Sequence, residues 1–381
     1  MPVMTSKERM EKAMNRREPD RVPVMCQMSF GHMLIQSGIR ASEFWFSKEA
    51  YAEGLWELRK IYRFDGILIS LHGHSPVWMK SVDRIQKEKN GEVITWKNGD
   101  RTVFPEDDLP RQYAAVKSHP PSLSDFDPDS LPSTINFIPV SQGLDFVIDQ
   151  GHAFDIFDLI HEKGGGDFSI HGEITSPFDY FLRLFGIKNA MIGLVTHPSK
   201  SKEILQRFTL AIQKMGLGQV DHGVDALKIS SPYAGAGFLS PGFYRQFVLP
   251  FESQIAQTIR SRNIPVYTHT CGAINDRLEM LAESGVSGIE CLDPPPLGNV
   301  SLEDAKKRVG EKIFIKGNID PVHTMLHGTA ADVKEAASKA IAAGKPGGGY
   351  ILSTACSIAP YTHREKAQLL AEVAEHLGCY P

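Results

Sequence analysis

The stretch SGIECLDPPPLGNVSLEDAKKRVGEKIFIKG, residues 287–317, contains the unit on which the fold turns. SGIECL (Ser287–Leu292) is a short β-rich run, stopped by Asp293 and three prolines. SLEDAKKRVG carries a helical pattern, and KIFIKG (Lys312–Gly317) is a second β-rich run. A strand, a helix and another strand within about thirty residues is the βαβ unit of a parallel sheet. Working outward, similar runs occur at VPVMCQM (Val22–Met28), GILISL (Gly66–Leu71), DFSIHG (Asp167–Gly172), DALKIS (Asp225–Ser230), PVYTHT (Pro265–Thr270) and GGYILS (Gly348–Ser353). Helical patterns separate them, among them SPGFYRQFVLPFESQIAQTIRSR, NDRLEMLAESG and TAADVKEAASKAIAAGK. Ser240 followed by Pro241 is a helix start, Thr329 with Asp332 reads as a capping box, and Gly344 as a helix stop. Asp276 reads as a helix start as well.

Eight such alternations predict an α/β fold, a (β/α)8 TIM barrel. Its N-terminal half is elaborated between the second and third strands. KEKNGEVITWKNGDRTVF alternates like a hairpin with KNGD as its turn, and a Pro- and Ser-rich stretch, SHPPSLSDFDPDSLPSTINF, follows. The expectation is one barrel domain over residues 1–381 with an insertion at about 73–165; a two-domain α/β chain is the alternative.

The 381 residues are 42% hydrophobic and 23% charged, with a net charge of -4, which suits an ordinary globular chain and gives no basic face for nucleic acid. No apolar run is long enough to span a bilayer, and MPVMTSKERMEKAMNRREPDRVP reads as a charged helix ended by Pro19 rather than a signal peptide. A cytoplasmic protein is expected. Five cysteines, an odd and sparse set, argue for free thiols.

In such barrels the active site lies where strands end, at the C-terminal face. This places Gln27, His72, His171, Glu173, Ser230, His269, Cys271, Asp293, Asn318, Asp320 and Cys356 together. His269 and Cys271 are two apart, so an extended backbone points both to one side. Imidazole and thiolate together suit zinc. Cys356, just past the last strand, is the candidate third ligand; Cys291, inside its strand, is a rival. Three protein ligands leave a fourth position, which Glu173, a water or a substrate atom could fill, and with that position open the site is a catalytic zinc site. Packing is the competing reading, since free cysteine is commonly buried. Cys26 and Cys379 read as bland. Glu173 and Asp293 are the acid/base candidates, with loop capping the alternative for Asp293. His72, Asn318, Tyr233 and Phe238 are the substrate-binding candidates. His74, Trp78 and Trp96 are weighed against capping or packing.

At these residues the sequence resembles the uroporphyrinogen decarboxylase superfamily over nearly its whole length. ERMEKAMNRREPDRVPV is similar to the family's opening and GVDALKISSPYAGAGFLSPGFYRQFVLP to its centre. GIECLDPPPLGNVSLEDAKKRVGEKIFIKGNIDP and GGYILSTACSIAPYTHREK resemble its C-terminal half. The resemblance implies a single (β/α)8 barrel. MCQMSFGHMLIQSG lacks the arginines by which the decarboxylases grip porphyrinogen carboxylates, and Cys356 stands where they tend to carry histidine. His269, Cys271 and Cys356 match the His-x-Cys…Cys zinc motif of the superfamily's corrinoid-dependent methyltransferase branch. The resemblance therefore implies zinc, a corrinoid (methylcobalamin or cob(I)alamin) supplied by a corrinoid-binding partner protein, and a small-molecule methyl donor or thiol acceptor. The chain is long for a minimal thiol methyltransferase of the branch it resembles. That points to demethylation of a small substrate such as a methoxylated aromatic, with methylcobamide:thiol transfer as its rival. Tetrapyrrole decarboxylation and a non-catalytic, zinc-bearing corrinoid-docking protein are further alternatives.

Overall fold

The computed structural model describes residues 3–89, 91–116, 119–164 and 166–381. Asn90 in the hairpin sequence, Ser118 at the head of the Pro- and Ser-rich stretch and Gly165, the last residue of the expected insertion, lie outside the described residues.

Seven parallel strands form one curled sheet in strict sequence order: Gly66–Ile69, Ser169–Thr175, Ala226–Ser230, Val266–Thr270, Gly288–Cys291, Phe314–Ile319 and Tyr350–Thr354. The first expected strand, Val22–Met28, is not a regular strand. It nevertheless runs between the two edges of the sheet. Leu352 N–H donates to Pro23 O (2.9 Å), Met25 N–H to Leu352 O (3.1 Å) and Asp65 N–H to Val24 O (2.7 Å). Pro23 has no N–H, so this segment cannot form a full ladder. The circle closes through isolated bridges, Val24 to Leu352 and Met28 to Ile358. A buried Asp65 anchors the closure: it accepts from Arg9 (2.6 Å), Arg21 (2.9 Å) and Val24 N–H (2.8 Å). The result is a TIM-barrel-like fold with an irregular first stave.

The strands are buried on both faces, as parallel strands under flanking helices must be. Helix starts follow the sequence signals. Ser240 Oγ accepts from Phe243 N–H at 3.3 Å, and Thr329 and Asp332 form a reciprocal capping box ahead of Ala330–Gly344. Thr329→Ala is expected to cost about 1 kcal/mol, read as a lowered urea midpoint at unchanged slope. The 241–260 pattern divides into Pro241–Phe247 and Leu249–Arg260, because Pro250 cannot continue the first helix. The N-terminal helix, Ser6–Met14, ends well before Pro19. Asp276 sits in a short 3-10 turn, paired with Arg277, before the helix Leu278–Glu283.

The elaboration holds the expected hairpin. Gly91–Trp96 pairs antiparallel with Arg101–Phe104 across the Lys97–Asp100 turn, in a four-stranded sheet completed by Val82–Glu88 and Arg111–Tyr113. A second hairpin, Phe137–Val140 with Leu144–Val147, follows. The insertion reaches back over the barrel mouth: a Cβ on Gly31 would lie 1.8 Å from Asp107 O, so only glycine lets the two segments touch there.

Candidate metal centre

Alternation along Val266–Thr270 gives Tyr267 and His269 a common face, and Cys271 follows at the strand's end. That face is the barrel interior, because Tyr267 OH meets the buried His171 Nδ1 at 2.9 Å. His269 Nδ1 lies 2.9 Å from Glu290 Oε2. A carboxylate only accepts, so Nδ1 carries a hydrogen and Nε2 is the ring atom left to meet a metal. Nε2 faces Cys271 Sγ at 3.3 Å.

Two further thiols reach this pair. The donor atoms of His269, Cys271 and Cys291 lie within 4.8 Å of one another. Cys356 also engages Cys271 and His269; Cys271 and burial push its thiol up, while His269 opposes them. Proximity alone groups Cys291 with the pair, but its chemistry is different. Cys291 is fully buried, its thiol donates to Asp293 Oδ2 at 3.2 Å, and burial pushes it up to about 12. Cys356 is partly open, and Ser357 beside it lines the cavity at the barrel mouth. One imidazole with two reachable sulfurs is a donor set suited to zinc. Burial and Lys228 work to lower the His269 imidazole, but Cys271 and then Cys356 raise it well above the usual range, so a metal binding at Nε2 would displace a proton that the thiols hold there.

Beneath the donors lies a charge network that the sequence reading did not single out. Cross-strand register places His269 opposite Glu290, Glu290 opposite Lys316, and Glu173 opposite Lys228. Lys316 Nζ donates to Glu290 Oε1. Lys228 Nζ donates to Gln27 Oε1 (2.5 Å) and lies 3.4 Å from Glu173 Oε2 and 3.6 Å from Glu290 Oε2. Burial raises the Glu290 carboxyl, but Lys316, Lys228 and His269 hold it well below the usual range. A signal was present: charged residues in the middle of the apolar runs DALKIS, SGIECL and KIFIKG need partners if buried.

The strand expected to end at Gly172 runs on to Thr175. His171 is therefore not at the mouth. It is buried between Tyr267 and Ser169, and burial lowers it to about 3. Glu173 sits within the strand and lines the cavity, accepting from Ser70 Oγ at 2.5 Å.

The cavity, about 480 Å³, opens at the barrel mouth among Glu173, Ser230, Tyr233, Asp179, Tyr51 and Phe30. Leu109, Ile138 and Val140 of the insertion form part of its wall. Tyr233 alone of the four substrate-binding candidates lines it. Phe238 is exposed and packs edge-on against Tyr233. His72 is buried, with Nδ1 2.8 Å from Ala153 O and its ring stacked on Phe154. Asn318 donates to Leu292 O at 3.0 Å and faces a separate groove on the barrel flank. Asp293 accepts from Gly272 N–H at 2.7 Å, which ties its loop to the loop carrying Cys271. Asp320 caps the turn Pro321–Leu326. His74 packs between Tyr51 and Phe146, and Trp78 and Trp96 pack on Phe46. These last three are packing residues. Among the described residues, no helix is long and apolar enough to cross a membrane.

The sequence profile of the family described as Uroporphyrinogen decarboxylase (URO-D) matches residues 112–377. A methylcobamide:CoM methyltransferase of Methanosarcina mazei is 24% identical over 99% of each chain. A uroporphyrinogen decarboxylase of Chlorobaculum parvum is 29% identical over 44% of this chain and 46% of its own. In three dimensions, a solved methyltransferase from Methanosarcina mazei superposes with a TM-score of 0.72 at 20% identity, covering 98% of this chain and 99% of that one. The barrel with its closing N-terminal segment, and a sequence match over most of its length, establish that this chain belongs to the uroporphyrinogen decarboxylase family.

Proposed function

We propose that this chain is a zinc-dependent methyltransferase that moves a methyl group from a small methylated substrate, a methoxylated aromatic, to the corrinoid of a partner protein. The carrying observation is a cavity with aromatic and aliphatic walls beside a His/Cys donor set. Ser357, next to Cys356, and Ser230, the cross-strand partner of His269, both line it. Its one guanidinium, Arg183, is already paired with Asp145 through two hydrogen bonds (2.7 and 2.8 Å). An uncharged aromatic ring therefore fits the walls better than an anionic thiol does.

His269, Cys271 and Cys356 would hold the zinc. When bound, the metal would act as a Lewis acid that makes the substrate's heteroatom a better leaving group. Glu290 fixes the His269 tautomer so that Nε2 is presented to the metal. The apolar walls exclude water from the reacting methyl group, and Tyr233 offers a face for ring stacking.

The rival reading is methylcobamide:thiol transfer. It is favoured by the names of the full-length relatives. Chain length no longer counts against it, since those relatives align over 99% of both chains. Two assays separate the readings: methyl transfer from substituted anisoles to cob(I)alamin, and from methylcobalamin to a small thiol. The proposal expects the first to proceed well above the protein-free rate. Activity in the thiol assay alone would replace it with the rival.

A further inference from the structure

Three acidic side chains line the cavity: Asp108 lies near Arg111 and Glu173 near Lys228, while Asp179 has no cationic partner among the described residues. Asp179 lies in the first turn of the helix Pro177–Phe185, whose N-cap is Ser176. Ser176 Oγ accepts from Asp179 N–H at 3.1 Å and donates to Asp179 Oδ2 at 2.5 Å. Oδ1 has no hydrogen-bond partner among the described residues, and Asp179 lines the cavity while only 6% exposed. We propose that Asp179 is the proton donor to the leaving oxygen of the methylated substrate, one carboxyl oxygen held by Ser176 and the other open to the cavity. The assignment rests on the demethylation reading above.

A carboxylate in the first turn of a helix would normally be ionised, and its surroundings decide otherwise. Burial pushes the carboxyl up to about 8, and the charge of Glu252 in the helix Leu249–Arg260 adds to this; Ser176 and, more weakly, His269 oppose it. Tyr233 faces it from the turn Pro232–Ala234 and is itself raised, first by burial and then by Asp179 and Cys271, so it lies within electrostatic reach of both the carboxyl and the donor set. Glu173, Arg183 and Asp108 share the cavity, engaged by Lys228, Asp145 and Arg111. The strand Phe137–Val140 over this helix brings no titratable side chain, and the helix Pro198–Asp221 meets it through Phe208 stacked on Tyr180. At neutral pH the carboxyl therefore carries a proton to give.

The step balances. The methyl–oxygen bond breaks and its electron pair passes to oxygen. The electron pair of the reduced cobalt on the partner's corrinoid makes the new bond to carbon. The Asp179 proton goes to the oxygen and releases a neutral phenol. The carboxylate left behind regains a proton from solvent. In the reverse direction, with a thiol to deprotonate, a neutral carboxyl would serve no purpose.

The experiment compares two ethers, 4-methylanisole with a basic leaving phenol and 4-cyanoanisole with an acidic one, using cob(I)alamin as acceptor. Asp179→Asn should slow the first by roughly 10²–10⁴-fold and the second far less, because an acidic leaving group needs little help. Zinc content should be unchanged, and the infrared carbonyl band of a neutral carboxyl, present in the wild type at pH 7, should be lost. The wild-type rate with 4-methylanisole should fall as pH rises through about 8, and that limb should be absent in Asp179→Asn. Ser176→Ala removes a hydrogen bond that favours the carboxylate, so it should move the limb to higher pH. Equal slowing of both ethers, no slowing, or a limb retained in Asp179→Asn would overturn the assignment while leaving the demethylation reading intact. A wild type inactive with both ethers but active from methylcobalamin to a thiol would remove the reading itself, and Asp179's role with it.

Discussion

His269→Ala, Cys271→Ser and Cys356→Ser are each expected to bring zinc content from about one ion per chain towards none, and Cys291→Ser to leave it near one. Elemental analysis of the purified proteins reads this directly. The expectation follows from the different situations of the four donors. His269 and Cys271 are in contact, with Nε2 to Sγ at 3.3 Å. Cys356 engages both from the loop after the last strand and is partly open. Cys291 Sγ lies within 4.8 Å of both donor atoms, in the grouping that Cys356 does not join, but it is sealed and its thiol is committed to Asp293. A catalytic zinc needs three protein ligands and one open position. Retention of zinc in Cys356→Ser together with its loss in Cys291→Ser would exchange the two cysteines. Methyl transfer should be lost in every variant that loses the metal.

Glu290→Gln is expected to cost about 3–5 kcal/mol and to weaken zinc binding about 10–100-fold. The carboxylate is fully buried and serves three groups at once: Lys316 Nζ, Lys228 Nζ at 3.6 Å and His269 Nδ1 at 2.9 Å. A neutral amide leaves two buried ammonium groups short of a counter-charge, and it can also offer His269 Nδ1 a donor where an acceptor is needed. Urea unfolding and zinc titration against a competing chelator measure the two effects separately. Adding Lys316→Met to Glu290→Gln should recover part of the stability and none of the zinc affinity, since only the charge imbalance is relieved. The pH dependence has a definite sign. Because Glu290 is held below the ordinary carboxylate range, its contribution is fully present above that range. It is lost as pH falls through the depressed value.

Most of the barrel was legible because parallel strands buried on both faces announce themselves as short apolar runs between helices. Seven of the eight expected runs are strands of the sheet, in sequence order. The first is not, for a local reason, Pro23, that could have been read. Strand limits were less secure, and one error mattered. Extending Asp167–Gly172 to Thr175 moves His171 down into the barrel and makes Glu173 an ion-paired inner residue.

The amino-acid sequence by itself determined the alternation of strands and helices, the caps at Ser240 and Thr329, the hairpin at KNGD, and the i, i+2 placement of His269 and Cys271. All are local, set by periodicity over a few residues. Only the tertiary structure decided which distant groups meet. Cross-strand register put Glu290 beside His269 and Lys316 beside Glu290. Chain closure brought Cys356 to the pair it follows at a distance in sequence. Burial pushed the Asp179 carboxyl, in the first turn of its helix, up to about 8 where it lines the cavity. Register, closure and desolvation are properties of the packed barrel, and no window of sequence contains them.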